Sequence, residues 1–335
     1  MQVFDPILKK SDNRNMNDLR LNQIHQQVQQ SQKILLVAHE KPDVDTTSCV
    51  CALKEYLNSI NKESDIYCFD EIPSQYDFLI ENTKVLNSNS LIFHNYDTII
   101  TCDCGNLKIT KLETEINNRL SSQKVINIDH HPKTDTFSDI DLKLTNKCAT
   151  AEIVYDFFDQ NKITITKKIA ECLLAGILSD SKNFAYANAN ENTLNISSRL
   201  LELGADWSKI MANIHYNKSL NSLKIWGQTM RDVELNKEYN IVSSKIHLNY
   251  QTAADGEYLE GLPSFLGTIR AIKAIIFLRD QNNGNIRGSL RSFDDNINMS
   301  LLANILGGGG HIKAAGFQTK GKLVKHEKEW IIIDN

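Results

Sequence analysis

Aspartate and histidine gather at the ends of apolar runs that lie far apart in the chain: His39-Glu40-Lys41-Pro42-Asp43-Val44-Asp45, Thr101-Cys102-Asp103-Cys104, Ile128-Asp129-His130-His131 and Ile177-Leu178-Ser179-Asp180. Carboxylate oxygen and imidazole nitrogen suit hard divalent cations, and paired cations of that kind hydrolyse phosphoesters. Asp43, Asp45, Asp103 and Asp180 are read as the converging set. Two carboxylates about 4 Å apart repel by about 4 kcal/mol at an effective dielectric of about 20. A crowd of them takes up protons unless cations balance the charge, and two divalent cations cancel four carboxylates. Asp43 and Asp45, two apart in an extended loop, can face one side, and Asp103 from a neighbouring strand is the natural bridge. Any one of these aspartates alone would read as a helix N-cap or turn residue. Their recurrence at every such end, with His39, His130 and His131 in the same places, points to a metal centre. Cys102 and Cys104 read as small core fillers, because hard cations prefer oxygen.

A second chemistry-bearing region lies near the C-terminus. Gly307 to Gly310 precede His311, and glycines that follow a helix let backbone N–H groups approach a phosphate closely. In Ile286 to Ser292 the alternation of a strand puts Arg287, Ser289 and Arg291 on one face. Arginine is suited to bidentate phosphate contacts.

The elements that must position these residues follow from hydrophobic period. Lys33 to Ala38 reads as a buried parallel strand, Thr47 to Ile60 as a helix, and Asp65 to Phe69, Tyr96 to Thr101 and Lys124 to Ile128 as further strands. Leu107 to Leu120, Ala149 to Gln160, Lys168 to Leu178 and Glu191 to Leu203 have helical spacing, the last closed by Gly204. Strand–helix alternation predicts an α/β fold with a mostly parallel sheet covered by helices, and ligands bind at the carboxyl ends of such strands. Asp206 to Met230 reads as a helical linker. Beyond it, strands at Tyr239 to Ile246, Ala271 to Arg279 and Ile286 to Ser292 and a helix at Met299 to Leu306 predict a smaller α/β domain. The expected domains are 1–205, a linker over 206–230, and 231–335.

Composition bounds the function. The 335 residues carry a formal charge of −4, which argues against a sequence-independent grip on long nucleic acid. No stretch approaches the roughly 20 apolar residues of a membrane span. The polar start of the chain does not resemble a signal peptide, and the seven scattered cysteines read as reduced thiols, so a cytoplasmic location is expected.

Taken together, these segments resemble the DHH phosphoesterase superfamily over about residues 15 to 330, with Asp129-His130-His131 as the motif that names it. His39 to Asp45 is similar to the first motif, H-x-x-P-D-x-D; Asp103 matches the second and Asp180 the fourth. Arg287 to Ser292 and Gly307 to Gly316 are similar to the phosphate-binding signatures of the DHH-associated C-terminal domain. Within the superfamily the likeness is to the bacterial nanoRNase/pAp-phosphatase group, whose members cleave very short oligonucleotides and many of which dephosphorylate 3′-phosphoadenosine 5′-phosphate (pAp). The resemblance implies two divalent metals, Mn²⁺ ahead of Mg²⁺. One would be held by His39, Asp43 and Asp103, the other by Asp45, Asp103, His130 and Asp180. It implies that His131 faces the substrate phosphate and Asp129 orients the histidines. It implies that Arg287, Ser289, Arg291, Gly308, Gly309, Gly310 and His311 bind substrate phosphate. The implied partners are short oligonucleotides or small phosphonucleotides and no membrane, with a homodimer left open.

Three departures from the family pattern bear on local backbone: Val44 where glycine is common, Lys182 where glycine is usual in T-D-T-G-x-F, and Thr46-Thr47-Ser48-Cys49 in place of A-x-G-S. Cyclic-dinucleotide hydrolysis, a RecJ-type single-strand exonuclease and a non-catalytic nucleotide-binding protein are the competing functions on the same motifs.

Overall fold

The apolar run Lys-Ile-Leu-Leu-Val becomes β1 (Lys33–Val37), whose last four residues are buried, as a strand covered on both faces must be. The computed structural model describes residues 6–81, 83–131, 136–185, 188–246, 261–269, 271–281, 284–294, 296–310, 312–326 and 329–333. The chain divides into two compact units, Met1–Asn217 and Lys218–Asn335.

In the first unit α1 (Pro6–Gln30) leads into β1, α2 (Val44–Ser59), β2 (Glu63–Tyr67), α3 (Asp77–Ile80), β3 (Val85–Leu86), β4 (Thr98–Cys102), α4 (Glu113–Asn117), β5 (Lys124–Asp129) and β6 (Ile140–Lys143). Four helices complete it: α5 (Thr150–Gln160), α6 (Lys167–Asp180), α7 (Glu191–Glu202) and α8 (Trp207–Ile214). The strands form one sheet in the order β3-β2-β1-β4-β5-β6, parallel at every pairing. The order reverses between β1 and β4, so the loops leaving those two strands diverge and open a crevice at their carboxyl ends. Ile34 and Leu36 enter one core with α2, α5 and α6 residues, while Leu35 and Val37 enter the other with Ile99, Leu112 and Val125.

The sequence reading of one helix over Leu107 to Leu120 is corrected. Leu107–Thr110 is a 3₁₀ turn that stops at Lys111 in a left-handed conformation (φ 56°). The Thr110 hydroxyl accepts the Leu112 N–H at 3.1 Å, and the chain restarts as the short α4. Among the described residues no helix is long and apolar enough to cross a membrane.

The second unit contains α9 (Leu220–Arg231), β7 (Glu234–Asn236), β8 (Ile241–Lys245), α10 (Leu262–Leu266), β9 (Ala274–Asp280), β10 (Asn285–Ser292) and α11 (Met299–Ile305). It ends with β11 (Gly309–Gly310), β12 (Ala314–Lys320), β13 (Lys322–His326) and β14 (Glu329–Ile333). Its mixed sheet runs β11-β12-β10-β9-β8-β7, with β8 and β9 parallel and its other pairs antiparallel. The span expected to be a helical linker forms α8, which packs on α6 in the first unit, and α9, which packs on β8 in the second.

Candidate metal centre

The parallel sheet delivers the acidic loops to one end. His39 to Asp45 leaves β1, Asp103 leaves β4, His130 and His131 follow Asp129 at the end of β5, and Asp180 closes α6. Asp43 is the N-cap of α2, its Oδ1 accepting the Thr46 N–H at 3.1 Å, so the residue that alone would read as a cap does that work as well. Val44 is the first helical residue and is buried, which suits a side chain better than a glycine. Asp45 is fully buried, and its carboxylate accepts the N–H groups of Thr150 (2.6 Å) and Ala151 (3.0 Å) at the N-terminus of α5. That terminus favours negative charge.

Asp103 is the centre of the cluster. It is 1% exposed and adopts φ 60°, a left-handed conformation that aspartate tolerates better than most residues. Its Oδ2 lies 3.6 Å from His39 Nε2, while its Oδ1 lies 3.5 Å from His130 Nε2 and 3.4 Å from His131 Nδ1. His39 Nε2 also lies 3.6 Å from Asp43 Oδ1, and His130 Nε2 lies 3.4 Å from Asp180 Oδ2. The other ring nitrogens are engaged outward: His39 Nδ1 with the Glu40 carbonyl at 2.6 Å, His130 Nδ1 with the Lys147 carbonyl at 3.4 Å. A backbone partner at Nδ1 fixes the tautomer that leaves Nε2 as a cation ligand. Three sets of ligand atoms lie within 4.8 Å of one another: His39, Asp43 and Asp103; Asp45, His130 and Asp180; Asp103, His130 and His131.

The electrostatics match a cation site. Burial, then repulsion from Asp180, Asp103 and Asp43, pushes the Asp45 carboxyl well above its ordinary pKa. Burial and the charges of Asp43 and Asp103 do the same to Asp180. Burial would raise Asp103 too, but hydrogen bonds from His131 and His39 hold it well below the usual carboxylate range. Desolvation lowers His39, yet its hydrogen bonds to Asp103 and Asp43 outweigh that and raise it to about 10. Hydrogen bonds to Asp103 and Asp129 raise His131 to about 11. Buried acids thus hold protons on themselves and on the imidazoles around them. An all-oxygen and nitrogen donor set in that condition fits hard divalent cations, which would replace those protons.

Three residues that sequence reasoning missed support the cluster. The Thr150 hydroxyl donates to Asp103 Oδ1 at 2.8 Å. Gly176 in α6 faces α2 so closely that a Cβ there would stand 2.6 Å from Asp45 Oδ1 and would also meet Ser48 and Ala151. A glycine inside an apolar helix costs about 1 kcal/mol against alanine, and that cost was the available signal. Lys143, at the end of β6, brings its ammonium to 3.8 Å from Asp129 Oδ2. Nothing in the short strand Ile-Asp-Leu-Lys marks it out. Lys182, Asn183 and Phe184 all adopt left-handed backbone (φ 48°, 55° and 64°), so Lys182 takes the conformation a glycine would supply without strain.

In the second unit, Arg287, Ser289 and Arg291 lie on the more open face of β10, while Ile286, Gly288 and Leu290 point into the core. Arg279 on β9 is the register partner of Arg287, a basic neighbour the sequence did not reveal. The glycine run is a sheet edge rather than a loose loop. Gly309 pairs with Gly316 and Gly310 with Ala315, and a Cβ at Gly308 or Gly310 would strike β12. His311 lies outside the described residues.

Residues 33–177 match the model of the DHH family, N-terminal domain, and residues 239–330 match that of the DHHA1 domain. The chain is 28% identical over 290 residues to the bifunctional oligoribonuclease and PAP phosphatase NrnA of Bacillus subtilis (strain 168), spanning 84% of this chain and 88% of that one. It is 31% identical over 200 residues to the NrnA of Thermus thermophilus, spanning 59% of each. The fold superposes on an exopolyphosphatase-related protein from Bacteroides fragilis with a TM-score of 0.79 at 23% identity, over 91% of this chain and 92% of that one.

Proposed function

The chain belongs to the DHH family and is a hydrolase of phosphoester bonds; from that premise we propose that it degrades very short oligonucleotides to mononucleotides and converts pAp to AMP. The similarity to relatives named for those two activities, over most of both chains, supports the substrate class. The observation that carries the mechanism is the double aspect of Asp103, one oxygen turned to His39 and the other to His130.

On this reading His39, Asp43 and Asp103 hold one cation, and Asp45, Asp103, His130 and Asp180 hold the other, with Mn²⁺ the preferred ion. The cations, when bound, lower the pKa of water and neutralise charge that grows on the phosphoryl oxygens. The α5 N-terminus holds Asp45 in place through two N–H groups, and Thr150 does the same for Asp103. Asp129 Oδ1 takes the His131 Nδ1–H at 2.9 Å, which leaves Nε2 to face the substrate phosphate and donate a proton to it. In the second unit Arg287, Ser289 and Arg291, with Gly308 to Gly310 and His311, grip a substrate phosphate.

Initial rates with Mn²⁺ on a labelled dinucleotide, a pentanucleotide, a long single strand, pAp and cyclic di-AMP test the assignment. The two short oligomers and pAp are expected to turn over fastest. A preference for the long strand or the cyclic dinucleotide would overturn it in favour of an exonuclease or a cyclic-dinucleotide hydrolase.

A further inference from the structure

The carboxylate behind His131 is itself backed by a buried lysine. Asp129 is fully buried at the end of β5, and Lys143, at the end of β6, is its register partner in the parallel pair. The two Asp129 oxygens have different surroundings. Oδ1 accepts both the backbone N–H of His131 (3.2 Å) and its ring Nδ1–H (2.9 Å). Among the described residues Oδ2 has no hydrogen-bond partner, and the Lys143 ammonium stands 3.8 Å from it. The Lys143 side chain is 4% exposed, and a cation so withdrawn from water is costly unless it is paired. The same ammonium donates to the Gly105 carbonyl at 3.2 Å. Gly105 follows Asp103 in the loop after β4, and a Cβ on it would lie 3.5 Å from His131 Cβ.

One ammonium therefore ties the carboxylate that holds His131 to the loop that carries Asp103. We propose that Lys143 is a positioning residue for the phosphoester hydrolysis described above: it anchors the Asp129 carboxylate in the orientation that fixes His131 by Nδ1 and leaves Nε2 for the substrate. The inference rests on that reading of the site. It adds to it a residue that is neither a metal ligand nor a substrate contact. Partners one step removed from a ligand or catalytic group typically change activity by about 10–100-fold.

Lys143→Met tests it with two readouts. In the wild-type protein loaded with Mg²⁺, ¹⁵N-histidine NMR should show a downfield Nδ1–H resonance for His131, assigned by its loss in His131→Gln. Lys143→Met is expected to shift or abolish that resonance, to lower kcat on pAp or a dinucleotide about 30-fold, and to leave KM and metal content close to wild type. An unmoved resonance, or an unchanged kcat in the folded variant, overturns the proposal. Should Lys143→Met fail to fold, Asp129→Asn and Asp129→Asn/Lys143→Met replace it. The single and double variants should have equal kcat, because Lys143 acts through Asp129; a further loss in the double variant overturns the proposal. If the wild-type protein hydrolyses no phosphoester, the functional reading fails, and the resonance alone decides whether Lys143 positions His131.

Discussion

The two units handle charge in opposite ways. In the first, the charges proposed for the metal centre and its support are acids gathered at the carboxyl end of a parallel sheet, and Asp45, Asp103 and Asp129 are withdrawn from water. Their positions are fixed by backbone: α5 holds Asp45, and the β4 exit holds Asp103 in a left-handed conformation. In the second, the charges proposed to bind substrate are arginines on the open face of an antiparallel strand, with Arg287 exposed and Arg291 half-buried. Buried acids of like sign need a partner to stay ionised, whereas exposed cations are screened by solvent until a ligand arrives. Rigidity is therefore needed in the first unit more than in the second. On the proposed reading, the chemistry calls for preorganised ligands, and the grip on substrate calls only for a suitable face.

Asp103→Ala breaks the first side of that contrast most severely. It removes the carboxylate whose two oxygens face His39 and His130 separately, and kcat is expected to fall by about 10³-fold or more, measured with saturating Mn²⁺ on a short oligonucleotide. A folded variant with a kcat near wild type would remove Asp103 from the centre of the account. Arg291→Ala probes the second side. Loss of one charge-assisted phosphate contact of about 1.5–3 kcal/mol should raise KM about 10–100-fold while kcat changes little. If kcat fell instead and KM held, the arginine face would belong to the chemistry rather than to the grip.

Gly176→Ala sharpens the claim of close packing. The new methyl would press on Asp45, Ser48 and Ala151, and a loss of about 1–3 kcal/mol in stability is expected from denaturant melts, with weaker metal binding. Unchanged stability and metal content would mean that α2 and α6 have slack. The smallest effect expected is on pH. In metal-free protein the folded state keeps protons on His39 and His131 that the unfolded chain releases above the ordinary histidine value of about 6.5. Both folded values are raised, so their stabilisation is complete below that pH and is lost as pH rises towards about 10 and about 11. The raised Asp45 and Asp180 act in the same direction, and the lowered Asp103 matters only in strong acid. The Tm of chelator-treated protein should fall by a few degrees from mildly acidic to alkaline pH, while the gain in Tm on adding Mn²⁺ should grow. A metal-free Tm that rises over that range contradicts the picture of protons held in place of cations.

The strands that carry the site were legible because each is a short apolar run ending in a charged residue, as in Lys33 to Ala38 and Lys124 to Ile128. The convergence of His39, Asp43, Asp45, Asp103, His130 and Asp180 followed from the rule that parallel strands present ligands at their carboxyl ends. What the sequence hid depends on neighbours brought together by the fold. The Thr150 hydroxyl and Lys143 act across strands and helices, and no local pattern announces either. The break at Lys111 was hidden for the opposite reason: helical spacing of apolar residues persists across it, while the backbone turns left-handed. In the second unit the Arg-Ser-Arg alternation was readable, but the pairing of Arg279 with Arg287 required the register of the sheet.

Manganese titration followed by electron paramagnetic resonance reads out whether Asp103 serves two ions. If Asp103 joins two ions, wild-type protein should bind two Mn²⁺ per chain and show the signal of an exchange-coupled pair, and Asp103→Ala should lose the coupling. Isolated single-ion signals at every loading of the wild-type protein would contradict a shared dinuclear centre.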